Sequence, residues 1–271
     1  MTMRNSFIYT ILGAALLLGT SCEKEIDLNL NGNDNKLVIE AVLTDTKGDC
    51  VVKLSRTKDF AADNSFAGVS GAKVQIYHNG DTTLLTETST GVYVAPELSG
   101  TSGNTYGLLV TLGNEQYTAT SYMPSKVPMD SLSIVEEDLF GDITKVANVS
   151  FKDPAGETNY YRFQQFIRGT KVKRYYVRND DLTNGNDINT RLYILGEDDD
   201  DHEYDINSGD EITVEMLNID AAVYKYFFSL SSSATGESES ATPANPVSNI
   251  SGNAIGYFSA QTVERKTIKV P

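Results

Sequence analysis

Apolar and polar positions alternate in short runs along most of this chain. Leu37-Val38-Ile39-Glu40-Ala41-Val42-Leu43 reads as a first strand and Cys50 to Leu54 as a second, with turn residues Asp45-Thr46-Lys47-Gly48 between them. Ala72 to Tyr77 turns through Asn79-Gly80 into Thr83 to Glu87, because Asn-Gly tolerates the two positive φ angles of a tight hairpin. Val92 to Val94 follows Gly91, and Thr105 to Leu112 turns at Gly113-Asn114 into Gln116 to Tyr122. Short strands at this spacing, with no helical period, predict an immunoglobulin-like antiparallel sandwich over 36–123.

Met123-Pro124-Ser125-Lys126-Val127-Pro128 strips backbone donors and favours an extended link, so 124–129 reads as a linker. A second β-rich domain is expected over 130–271. Its strands are Asp130 to Val135, Val146 to Phe151, Tyr160 to Ile167, Lys171 to Val177, Arg191 to Leu195 and Glu211 to Ile219. The aromatics concentrated in Tyr160, Tyr161, Phe163, Phe166, Tyr175 and Tyr176 read first as cross-strand and core contacts, and second as a carbohydrate-stacking platform. Asp220 can N-cap a helix near 220–232, in which Val223, Tyr224, Phe227, Phe228 and Leu230 follow helical spacing. The fold class is therefore mainly β, a sandwich followed by a second β-rich domain with one helix.

The apolar run Ile8 to Leu18, preceded by Arg4 and followed by small residues, is too short to span a bilayer and reads as a secretory signal over 1–21. Leu18-Gly19-Thr20-Ser21-Cys22 resembles a bacterial lipoprotein box, which implies that Cys22 becomes an acylated N-terminus. The pattern departs from the usual one in carrying Gly19 where Leu is common. Residues 22–35 are polar and read as a lipidated flexible tether. Within it Glu23, Lys24, Glu25 and Asp27 look like the acidic signal that exports Bacteroidota lipoproteins to the outer face of the outer membrane, with a solvated linker as the plain alternative.

Charge removes one class of partner. The chain carries 22 Lys+Arg against 37 Asp+Glu, and loss of the signal removes Arg4 and no acid. So acidic a surface repels nucleic acid phosphates. From Cys22 onward, roughly 250 residues remain, room for two domains of ordinary size. With Cys22 acylated, Cys50 has no intramolecular disulfide partner and reads as a small strand residue.

Chemistry is sparse. Asp198, Asp200 and His202 lie in the densest charge cluster and form a candidate metal set, calcium being the ion such carboxylates suit, although their spacing defines no site. Asn179 to Gly185 looks like a calcium loop but places Leu182 and Arg191 where oxygen ligands are needed. No nucleophile elbow, zinc-protease motif or phosphate-binding glycine loop occurs, and Trp is absent. The expectation is a non-enzymatic protein without a required cofactor.

The run Asn245-Pro246-Val247-Ser248-Asn249-Ile250-Ser251-Gly252-Asn253-Ala254-Ile255-Gly256-Tyr257-Phe258-Ser259-Ala260 is the most distinctive in the body. Together with Cys22 to Asp27, Lys36 to Ala41, Gly91-Val92-Tyr93 and Tyr106 to Tyr117, it resembles the Bacteroidota lipoproteins catalogued as domain-of-unknown-function 4249. The resemblance implies an outer-membrane lipoprotein encoded beside a TonB-dependent receptor, with no catalytic residues to carry over. The expectation is a lipid-anchored, outward-facing accessory or ligand-capture partner of such a transporter, with the small ligand unidentified. The alternative is a structural or adhesion module, and a glycan-active enzyme comes third. Asn245, Asn249, Asn253 and Tyr257 are candidate contacts for a partner or ligand. Ile255, Tyr257 and Phe258 are expected to pack at the helix, and a tight loop feeding the last strands is the plain alternative.

Overall fold

Strict alternation decides which face each strand buries. In β1 (Leu37–Thr44) the odd positions Leu37, Ile39, Ala41 and Leu43 are buried while Glu40 is exposed. The same logic builds β2 (Val51–Arg56), β3 (Lys73–His78), β4 (Asp81–Leu84), β5 (Thr86–Ser89), β6 (Val92–Val94), β7 (Thr105–Leu112) and β8 (Glu115–Tyr122). Onward along the chain come β9 (Ser131–Leu139), β10 (Asp142–Lys152), β11 (Tyr160–Ile167), β12 (Thr170–Lys171), β13 (Tyr176–Asn179), β14 (Asp187–Leu192), β15 (Glu211–Ile219), helix α1 (Ala221–Ala234) and β16 (Ala254–Lys269). The structure is a computed structural model that describes residues 35–57, 67–139, 141–194, 204–234 and 245–271.

A nine-stranded sheet runs β12-β11-β15-β16-β1-β2-β6-β5, with β13 also on β11. One face of its β16-to-β5 half packs on the sheet β4-β3-β7-β8, enclosing Ile39, Val52, Leu54, Val74, Val110 and Phe258. The same face of its other half packs on β14-β10-β9, enclosing Phe151, Tyr161, Phe163, Val214 and Met216. Phe151 lies 4.8 Å from Tyr161 and 6.1 Å from Phe163, centroid to centroid, so these two aromatics of β11 serve this core, while Tyr160 lies 5.1 Å from Tyr224 on the opposite face. The molecule is thus mainly β, two sandwiches with one helix.

The expected division at 124–129 follows the chain through β15 and then meets β16. This strand pairs in parallel with β1 from Ala254 to Gln261, then antiparallel with β15 from Thr262 to Lys269. At the handover the Val263 amide donates to Asp45 Oδ1 at 3.0 Å, which continues the ladder past the end of β1. One strand therefore belongs to both cores, and Asn35–Pro271 forms one compact unit. The strands expected over 36–123 pair antiparallel with one another, and β1 takes β16 as a parallel neighbour besides, which needs a long crossover that here almost the whole body supplies.

Local expectations fare according to how local their cause is. Asn79 and Gly80 take φ of 49° and 90°, the left-handed pair that the β3–β4 hairpin requires. Cys50 is buried at the entrance of β2, and burial pushes its thiol up to about 11, so it packs as a small apolar residue. The expected strand Lys171 to Val177 is broken into β12 and β13, and that expected at Arg191 to Leu195 lies upstream as β14.

Candidate functional site

The second face of the large sheet is covered by α1. Asp220 begins the helix: its Oδ1 accepts from the Val223 amide at 2.8 Å, an N-cap bond. Its Oδ2 accepts from Ser121 Oγ at 2.6 Å and from the Tyr122 amide at 3.0 Å, while Ser121 Oγ accepts from the Ala260 amide at 2.9 Å. One carboxylate therefore fixes the helix start to β8, and through Ser121 to β16. Val223, Tyr226 and Phe227 face the sheet and are buried, whereas Phe228 is 53% exposed.

Under the helix lie Tyr257, 5.0 Å from Tyr226 and 4.8 Å from Phe227, and Arg162, whose guanidinium carbon sits 3.7 Å from the Phe227 ring centre. Arg162 is 5% exposed, with Tyr175 on a second side at 6.0 Å. Burial pulls its guanidinium below its ordinary value, opposed by the nearby Tyr257 and Tyr175 phenols and by Glu40 through space. No carboxylate forms an ion pair with it among the described residues.

The guanidinium reaches outward along the sheet. Its Nη2 donates to Gln164 Oε1 at 3.3 Å, and Lys171 Nζ donates to that same oxygen. Gln164 Nε2 donates to Glu215 Oε2 at 3.1 Å, and Arg265 Nε to Glu215 Oε1 at 2.9 Å. Lys171 is exposed as a residue, but desolvation of its ammonium lowers it, and the Arg162 charge lowers it further. A cationic margin thus borders an aromatic layer. These residues were not singled out by motif. Their only sequence signal is that Arg162 and Gln164 share one face of β11 with Tyr160 and Phe166, and without knowledge of α1 these two polar positions read as solvated.

The distinctive run divides between framework and surface. Asn245 and Asn253 are exposed, and Asn249 is half-buried. Asn249 spends its amide on one residue: Phe258 N donates to its Oδ1 at 2.9 Å and its Nδ2 donates to Phe258 O at 2.8 Å. Ser248 Oγ donates to Gly256 O at 2.7 Å, and Val247 N donates to Ser229 Oγ on α1 at 2.9 Å. The segment thereby satisfies the edge of β16 that β15 does not reach. Tyr257 packs against α1 as expected, but Phe258 points into the first core, because adjacent strand residues face opposite ways. Asn249→Ala should strip both partners from the Phe258 backbone, at a cost of about 1–3 kcal/mol, and lower the melting temperature by a few degrees in a thermal scan.

The Asn179–Gly185 loop is knitted to its neighbours. Asp180 Oδ2 accepts from Asn159 N at 2.9 Å, and Asn184 Oδ1 from Gly156 N at 3.0 Å. Asp153 accepts from Tyr161 Oη and from Gly185 N. Among the described residues no group of three or more His, Cys, Asp or Glu is placed to hold a metal ion. Asp198, Asp200 and His202 lie outside the described residues, as do Cys22, Glu23, Lys24, Glu25 and Asp27.

The family described as "Domain of unknown function (DUF4249)" matches residues 23–267. The chain belongs to this family. No curated protein matches it. The matched span of this DUF4249 chain takes in both sandwiches, α1 and most of β16, so the strand shared between the cores falls inside the family's unit.

Proposed function

We propose that this chain is an outer-membrane lipoprotein, anchored through acyl chains on Cys22 and facing the cell exterior. There it serves as a non-enzymatic accessory or ligand-capture partner of a TonB-dependent transporter. The observation that carries the reading is the junction at Cys22. An apolar segment too short to span a membrane ends in small residues and a cysteine, and the family match begins at the next residue. The tether residues Glu23, Lys24, Glu25 and Asp27 fit the acidic export signal, and the genomic company implied by the DUF4249 resemblance supplies the partner.

A structural or adhesion module is the rival reading, supported by a body made of sandwiches presenting loops. Affinity purification from solubilised outer membrane separates the two: an accessory brings a TonB-dependent receptor with it, and an adhesion module does not. Asn245 and Asn253, both exposed, are the asparagines of that run open to such a partner. Asn249 belongs to the brace.

A further inference from the structure

Two cations converge on one neutral oxygen beside α1. Arg162 Nη2 and Lys171 Nζ both donate to Gln164 Oε1. An amide oxygen accepts these bonds but neutralises neither charge, and carboxylate or phosphate is the partner whose paired oxygens match a guanidinium edge. Arg162 Nε is a third donor, buried and without a hydrogen-bond partner. Stacking on Phe227 covers the face of the guanidinium, and its edge, where the N–H groups lie, meets Gln164 and the Tyr257 phenol and leaves Nε unpaired. A buried cation is costly unless paired.

The surrounding charge has the sign an anion needs. Arg162, Lys171, Lys53 and Arg265 share this region with the carboxylates Glu40 and Glu215. Glu215 is already engaged by Arg265 and Gln164, and Glu40 lies across from Lys53 in the β1–β2 ladder. The local surplus is positive in a chain whose formal charge is -15. Lys171 is exposed, so the margin is reachable from solvent.

We propose that this margin is a seat for a small oxyanion, a carboxylate or phosphate, which displaces Gln164 Oε1 and takes over its bonds from Arg162 and Lys171. The proposal rests on the ligand-capture reading and names the chemical class of the ligand. Its test reads the seat alone, so binding by purified protein and recovery of a receptor can fail independently.

The test is isothermal titration of the lipidated protein in detergent with succinate and with inorganic phosphate, against sodium chloride at matched ionic strength. Saturable binding of succinate, phosphate or both is expected, and which of them binds identifies the headgroup. Lys171→Gln, at an exposed position, should weaken it about tenfold, and Lys171→Arg should retain it. Gln164→Glu sets a carboxylate between the two cations and should abolish the titration. No saturable binding of either anion, a response that chloride reproduces, or unchanged affinity in Lys171→Gln or Gln164→Glu would overturn the assignment.

Discussion

Gly256→Val is expected to lower the melting temperature by about 6–20 °C. Gly256 lies inside β16 with φ of 117°, opposite Ile39 in the parallel ladder. A Cβ built there falls 2.0 Å from the Ile39 carbonyl oxygen and under 3.0 Å from two further backbone atoms of Ile39. No rotamer relieves a clash with backbone. Valine, stiff at its branched Cβ, also resists positive φ, which alone costs about 1–3 kcal/mol. Ile39 is fully buried in the first core, so yielding there loosens packing as well. The sum is about 3–5 kcal/mol, and roughly 2–4 °C accompanies each kcal/mol for a body of this size. Circular dichroism melts check it. A shift within about 2 °C would mean that β16 does not lie against β1 in this register.

Cys22→Ala is expected to move essentially all of the protein out of the membrane fraction and to abolish palmitate incorporation. Each buried methylene of an acyl chain contributes about 0.8 kcal/mol, and stable anchoring needs more than one chain or signal. The described body offers no substitute of that size. None of its helices is long and apolar enough to cross a membrane. The outer side of α1 carries the exposed Phe228 and Lys225 but no basic stripe that would hold a helix on anionic lipid. Fractionation after a carbonate wash reads the result, and a variant that stays with the membrane would contradict acyl anchoring.

Those parts of the fold set by neighbours in sequence were readable from sequence. The burial of β1, the bounds of β11 and β15, the Asn79-Gly80 hairpin and the Asp220 cap all follow from alternation or from a short-range hydrogen bond. What was not legible depends on partners far along the chain. Nothing local in Ala254 to Lys269 announces that its first half meets β1 in parallel and its second half meets β15. Asn249 resembles a loop asparagine free to meet a partner until Phe258, whose backbone it clasps, is folded back beside it. The Arg162 margin was hidden for the same reason. A charged residue at an even position of β11 signals solvent, and only the return of α1 over that face makes it a buried cation among aromatic rings.

The most direct test of the anchored-accessory account is affinity purification of the tagged protein from detergent-solubilised outer membrane, with Cys22→Ala as the control. The account predicts that a TonB-dependent receptor co-purifies with the anchored protein and is lost from the Cys22→Ala preparation. Recovery of the anchored protein without any such receptor, across growth conditions in which the receptor is present in the same membrane, would contradict it and leave the adhesion-module reading in its place.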